Sequence, residues 1–140
     1  MSEPYNAAEI VLGQAARLKD KIALIHAGGT VSYGEFLSLV NRAANAFCGL
    51  GVGRGSRVGL MLKDSPLYCA AFLGLVKAGA VAIPLNPRLP VASYVSIFSA
   101  ARLSLVVAER EHASMLAEAQ HLSRARILAS DGEGETLERL

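Results

Sequence analysis

Strand patterns and helix patterns alternate along most of the chain, and this alternation restricts the fold more than any other feature of the sequence. The strand patterns lie at 57–62, 80–85, 103–108 and 125–129, and helical patterns lie at 66–78, 91–100 and 110–122. Parallel strands joined by intervening helices form right-handed βαβ units. The first three strand patterns are apolar at nearly every position, as expected where both faces of a sheet are covered. The sequence therefore predicts an α/β fold with a mainly parallel sheet and flanking helices.

The segment before these βαβ patterns predicts two helices with a β-hairpin between them. Residues 6–9 (NAAE) have the spacing of a capping box, which predicts a helix to about Leu18. Strand patterns on either side of a glycine-rich turn predict the hairpin, with strands at 21–26 and 30–33. A second capping box at 32–35 begins a helix whose apolar residues share one face.

The helix predicted at 66–78 is apolar around almost its whole circumference. Ser65 caps it, Pro66 occupies its first position, and Gly79 ends it. Such a helix is buried on all sides or is covered by a surface that a small domain lacks. We therefore expect this chain to be the N-terminal part of a longer protein and, on its own, to form a homo-oligomer through the apolar helix. A complete domain with one apolar helix is the alternative.

The end of the chain differs from the rest in composition. We expect residues 1–129 to form one α/β subdomain. Residues 131–135 (DGEGE) have the composition of a linker. The interval 130–140 is therefore predicted to be a linker or the truncated start of the next element.

Charge and composition exclude several classes of partner. The chain has 14 Lys and Arg residues against 12 Asp and Glu residues, a net charge of +2, and the signs are interspersed. This balance argues against binding to nucleic acid or to an anionic membrane surface. No uncharged run approaches the roughly 18 residues of a membrane span, and the N-terminus lacks a signal-peptide pattern. Cys48 and Cys69 have no CxxC spacing, which favours a reducing compartment, and we expect a cytoplasmic protein.

For most reactive side chains a structural role explains the pattern better than catalysis. His112 and His121 lie on opposite sides of a predicted helix, so they cannot share a metal ion. The cysteines lack a basic neighbour and are predicted to be small core residues. Ser65 lacks the flanking glycines of a nucleophile elbow. The glycine-rich run 49–55 follows a helix and precedes a strand, the reverse of a dinucleotide-binding loop. No catalytic residue and no metal ligand is therefore predicted.

The loop from Pro84 to Pro90 is the strongest candidate for a binding site. It follows the carboxyl end of a predicted parallel strand, the side on which open α/β sheets bind ligands. Its prolines stiffen it, and Arg88 provides a cation that can form two hydrogen bonds with a phosphate group. A surface arginine without a ligand is the commoner outcome for such a residue and remains the alternative.

Three segments occur in an order and spacing typical of a known family. They are 31–36 (VSYGEF), 41–46 (NRAANA) and 75–87 (LVKAGAVAIPLNP). They resemble the first core motif, the following helix and the second core motif of the adenylate-forming superfamily. That superfamily includes acyl- and aryl-CoA synthetases, adenylation domains of peptide synthetases, and luciferases. The resemblance extends over about 6–129 and implies an incomplete, N-terminal part of the adenylate-forming enzyme fold.

Within the superfamily, the sequence is most similar to CoA ligases. Residues 86–89 (NPRL) resemble the CoA-ligase version of the second motif, and 6–9 resemble the opening of benzoate-type ligases. The resemblance implies a parent enzyme that joins a carboxylic acid to AMP from ATP and then transfers the acyl group to coenzyme A. It implies ATP, Mg²⁺ and coenzyme A as ligands of the parent, the remaining ligase domains as partners, and Arg88 as a contact of the 3′-phosphate of coenzyme A.

The catalytic motifs of the family are absent from these 140 residues. They are the phosphate loop that ends in Pro-Lys-Gly, the aromatic-Gly-x-Thr-Glu motif, the hinge Asp and the C-terminal catalytic Lys. We therefore expect the isolated chain to be inactive and to bind no cofactor. Two alternatives remain open: a stand-alone, non-catalytic interaction module, and part of an adenylation domain that loads a carrier protein.

Overall fold

The structure is a computed structural model that describes the backbone at 6–123 and 125–130 and the side chains at 6–120 and 125–130. In chain order its elements are α1 (Ala7–Leu12), β1 (Ile22–His26), β2 (Gly29–Ser32), α2 (Tyr33–Gly49), β3 (Arg57–Met61), α3 (Pro66–Lys77), β4 (Val81–Pro84), α4 (Val91–Ala101), β5 (Leu105–Glu109), α5 (Arg110–Ser123) and β6 (Arg126–Ser130). The predicted α/β class with a parallel sheet is confirmed.

The chain packs as two compact units. Unit 1 comprises the described residues up to 54 together with 64–80, and unit 2 comprises 55–63 together with those from 81 onward. Helix α3 therefore belongs to unit 1, although it lies between β3 and β4 in the sequence. The expected linker lies, from residue 131 onward, outside the described residues. The subdomain boundary near residue 129 thus stays a prediction.

Unit 2 contains a four-stranded parallel sheet in the order β4-β3-β5-β6. β5 is buried along its whole length, as its apolar sequence predicts. β4 differs from that expectation, because an edge strand has a neighbour on one side only and Val81 remains 47% exposed. One cluster of buried residues in this unit comprises Met61, Leu85, Tyr94, Phe98, Leu103, Val106, Ala108, Leu116, Ala119 and Ala125.

Unit 1 contains the predicted hairpin and three helices. β1 and β2 pair antiparallel and form a sheet of their own. Helix α3 packs against α1 and α2, so part of its apolar circumference is covered within the chain. One cluster of buried residues in this unit comprises Ala8, Leu12, Phe36, Val40 and Ala70.

The first helix is shorter than the sequence predicts. It ends at Leu12 rather than near Leu18, and the chain continues in turns. Gly13 follows the last helical residue, and glycine is a poor residue for continuing a helix. Asn6 caps the helix as expected, since its Oδ1 accepts a hydrogen bond from the backbone N–H of Ala8 at 3.0 Å. Its Nδ2 donates to the carbonyl of Val76 at 3.1 Å, so one side chain joins the start of α1 to the end of α3.

The second capping box is confirmed in full. The backbone N–H of Ser32 donates to Glu35 Oε2 at 2.8 Å, and the backbone N–H of Glu35 donates to Ser32 Oγ at 3.3 Å. The bond from the Ser32 backbone N–H, together with a second one that Ser32 Oγ donates to Glu35 Oε2 at 2.8 Å, lowers the pKa of the Glu35 carboxyl. Two N–H groups at the start of α2 thus have partners, and α2 begins where the sequence predicts.

A glycine in α3, Gly74, allows α2 and α3 to pack closely. A Cβ atom added to Gly74 would lie 2.9 Å from both Ala43 Cβ and Ala44 N. One of these atoms belongs to the backbone, so the clash cannot be relieved by turning a side chain. The two helices therefore approach to a distance that only glycine permits at this position.

We predict that Gly74→Ala destabilises the chain by about 1 kcal/mol. Overpacking costs about 1–3 kcal/mol, against a gain in helix propensity of at most about 1 kcal/mol. Gly49→Ala is the matched control, because an added Cβ at Gly49, also in a helix, meets nothing within 4 Å. Urea unfolding monitored by circular dichroism measures both variants. A Gly74→Ala midpoint equal to or above that of Gly49→Ala would contradict the prediction.

Candidate functional site

The loop after β4 leaves the carboxyl edge of the parallel sheet, as predicted. β4 ends at Pro84, which lies opposite Leu60 of β3. From β3 the chain passes first to β4 on one side and then to β5 on the other, so the direction of winding reverses at β3. Open α/β sheets bind ligands at the carboxyl ends of strands near such a reversal.

Three hydrogen bonds hold this loop in a defined shape. Asn86 Oδ1 accepts from the backbone N–H of Arg88 at 3.0 Å, a turn typical of asparagine. The Tyr94 hydroxyl donates to the carbonyl of Asn86 at 2.7 Å and accepts from the backbone N–H of Leu89 at 3.1 Å. The backbone on both sides of Arg88 is thereby attached to α4.

The side chain of Arg88 is exposed and available for a ligand. Its guanidinium forms no hydrogen bond or ion pair with any residue that the structure describes. A guanidinium has five N–H donors in a planar fork that matches two phosphate oxygens. The contact of Arg88 with a phosphate group, which the family resemblance implies, stays a prediction.

A buried carboxylate lies at the same edge of the sheet, and the sequence did not predict it. Glu109 is the last residue of β5 and is only 9% exposed. Its Oε1 accepts from the backbone N–H of Lys63 at 2.9 Å, and Lys63 Nζ lies 3.5 Å from Glu111 Oε1. The position of Glu109 directly after the mainly apolar strand pattern at 103–108 was the signal that could have placed its carboxylate at the sheet edge.

The structure corrects one prediction on the cysteines. Cys48 is exposed rather than a core residue, and Cys69 is half-buried in α3. Ser65 is confirmed as a helix cap, since its Oγ accepts from the backbone N–H of Tyr68 at 3.1 Å.

The remaining candidates also keep their structural roles. Gly51 and Gly55 have φ angles of 82° and 81°, so the glycine-rich run forms the turns that end α2 and precede β3. His112 Nε2 lies 3.7 Å from Glu111 Oε1, whereas the side chain of His121 lies outside the described residues. Within the described part of the chain, no His, Cys, Asp or Glu side chains cluster in a group of three or more suited to a metal ion.

Unit 1 has an apolar pocket beside α3. The pocket has a volume of about 450 Å³ and is lined by Leu24, Phe36, Tyr68, Cys69, Phe72 and Leu73. Partial burial is the main cause that raises the pKa of the Tyr68 hydroxyl. Four residues of α3 line this pocket and are half-buried: Tyr68, Cys69, Phe72 and Leu73. No described helix has the length and apolar character to cross a membrane.

The sequence of the chain matches the model of one enzyme family over most of its length. A family model described as "AMP-binding enzyme" matches residues 12–139. The chain belongs to the AMP-binding enzyme family. The resemblance of its motifs to the adenylate-forming superfamily is thereby confirmed, and so is the expected N-terminal part of that fold.

The similar proteins include several aryl-CoA ligases. The chain is 43% identical over 111 residues to a 3-hydroxybenzoate–CoA ligase of Aromatoleum sp. (strain CIB), covering 76% of this chain and 21% of that protein. It is 40% identical over 114 residues to a 3-hydroxybenzoate–CoA/4-hydroxybenzoate–CoA ligase of Thauera aromatica, covering 79% of this chain and 22% of that protein. The structure is similar to that of a benzoate CoA ligase from Burkholderia xenovorans LB400, with a TM-score of 0.87, 26% identity, and coverage of 97% of this chain and 28% of that one. The chain spans about a fifth of the length of these curated relatives.

Proposed function

We propose that the protein containing this chain is an ATP-dependent carboxylate–CoA ligase. It forms an acyl-adenylate and then transfers the acyl group to the thiol of coenzyme A. The observation that supports this most directly is the 86–89 loop (NPRL), which presents an exposed Arg88 at the carboxyl edge of the sheet in a chain of the AMP-binding family. The similarity of the chain to CoA ligases favours a CoA ligase over an adenylating enzyme of another kind.

An aromatic acid is the proposed substrate. The support is the similarity to ligases named for 3-hydroxybenzoate and benzoate. We assign no residue of this chain to the acid, to ATP or to Mg²⁺, since the family motifs for those ligands do not occur in its sequence. The proposed contribution of the chain is scaffold packing and a contact with coenzyme A through Arg88. The protein is proposed to act in the cytoplasm.

Turnover by the full-length protein tests the proposed activity. We expect pyrophosphate to be released from ATP only with an aromatic carboxylic acid, and AMP and a thioester to form only when free coenzyme A is also added. The isolated 140-residue chain should release no pyrophosphate, because adenylyl transfer requires cations and amides placed around the phosphates. Full-length protein without acid-dependent AMP formation would contradict the ligase. Thioester formation on a carrier protein without free coenzyme A would favour an adenylation domain instead.

The role of Arg88 is tested by Arg88→Ala in the full-length protein. A charge-assisted hydrogen bond contributes about 1.5–3 kcal/mol, less where salt screens it, and 1.4 kcal/mol corresponds to a tenfold change. We therefore expect the KM for coenzyme A to rise about tenfold and the acid-dependent pyrophosphate exchange to stay unchanged. Arg42→Ala is the matched control, because Arg42 is also exposed but lies in unit 1. Equal wild-type KM values for coenzyme A and 3′-dephospho-coenzyme A would exclude the proposed contact.

The apolar pocket of unit 1 favours one alternative, a non-catalytic module that binds a partner. We propose that the isolated chain self-associates through this pocket, because an uncovered apolar patch favours association. Light scattering should detect a dimer or larger oligomer, and Phe72→Gln should weaken it. Ser38→Gln, at an exposed position of α2, is the control. A monomer at high concentration that binds no hydrophobic dye would contradict this association.

A further inference from the structure

We propose that Tyr94 is a positioning residue for coenzyme A: its buried hydroxyl holds the loop in the shape that presents Arg88 to the 3′-phosphate. The inference depends on the proposed function, since it concerns how the same site is built. It adds a residue that does not itself touch the ligand and that lies in the core of unit 2.

The position of the Tyr94 hydroxyl is set by the packing of its ring. Tyr94 is fully buried, and its ring centroid lies 6.5 Å from that of Phe98, one turn further along α4. A buried aromatic ring has little freedom to move in a close-packed core. The hydroxyl at the end of that ring is therefore a fixed point, and the core places it beneath the loop.

The hydrogen bonds of this hydroxyl attach the loop backbone on both sides of Arg88 to α4. It donates to the carbonyl of Asn86 and accepts from the N–H of Leu89, so it contacts the chain two residues before and one residue after Arg88. Together with the bond from the N–H of Arg88 to Asn86 Oδ1, it restricts the backbone from which the guanidinium extends. Ordering this backbone in advance lowers the entropy that binding would otherwise cost.

Tyr94→Phe in the full-length protein tests the proposal, because it keeps the ring and removes only the hydroxyl. We expect the KM for coenzyme A to rise about threefold to fivefold, less than with Arg88→Ala, since the guanidinium is still present. The kcat at saturating coenzyme A, the acid-dependent pyrophosphate exchange and the KM for 3′-dephospho-coenzyme A should not change. Ser96→Ala is the matched control: it also removes a hydroxyl from α4, one that donates only to the carbonyl of Ala92.

A double variant separates positioning from a general effect on structure. In the Arg88→Ala background, Tyr94→Phe should cause no further rise in the KM for coenzyme A, because it acts through the missing guanidinium. An equal rise in both backgrounds, or with the 3′-dephospho analogue, would overturn the proposal.

The possible failures are distinguishable. If Arg88→Ala raises the KM for coenzyme A and Tyr94→Phe does not, the role of Tyr94 is wrong and the proposed contact of Arg88 stands. If neither variant changes that KM, the contact of Arg88 is wrong and the role of Tyr94 fails with it.

Discussion

The pairing of β3 with both β4 and β5 is the constraint on which the rest of unit 2 depends. Both edges of β3 are hydrogen-bonded to a neighbouring strand, and β3 is buried from Val58 to Met61. Neighbouring side chains close over it so tightly that a Cβ added to Gly59 would lie 2.8 Å from Leu85 Cδ1. Because the pairing is parallel, the loop with Arg88, the amide of Lys63 and the carboxylate of Glu109 all lie at one edge of the sheet.

Tyr94 connects this core to the candidate binding loop. Its ring is part of the apolar core of unit 2, whereas its hydroxyl bonds to the backbone of the loop. Tyrosine suits such a position, since one end of the side chain is apolar and the other forms hydrogen bonds. The loop thus carries an exposed arginine and still has a defined backbone, a combination typical of binding loops on rigid scaffolds.

Much of the fold could be predicted because its signals are local. The capping box at 32–35, the cap at Ser65 and the turn between β1 and β2 each depend on a few adjacent residues. The parallel, buried strands could be predicted from short apolar runs that alternate with helical patterns. The loop after β4 could be identified as a candidate site for the same reason, since its position at a strand end follows from the order of elements along the chain.

What local patterns could not predict concerns contacts between residues distant in sequence. Whether Cys48 is exposed depends on which face of α2 meets α3, and the amount of cover on α3 depends on how closely Gly74 lets the two helices approach. The burial of Glu109 depends on a hydrogen bond to the backbone of Lys63, 46 residues away. Neither the periodicity nor the composition of the sequence indicates that these distant residues are in contact.

The sequence by itself determined the order and type of the elements, the family and the residue that carries the candidate cation, Arg88. These are properties of short segments, whose helix caps, turns and apolar runs act over a few residues. Only the tertiary structure decided that the guanidinium of Arg88 is exposed and that the hydroxyl of Tyr94 lies under its loop. The reason is that the core of unit 2 packs the ring of Tyr94 at close range from several elements at once, and this packing directs the hydroxyl.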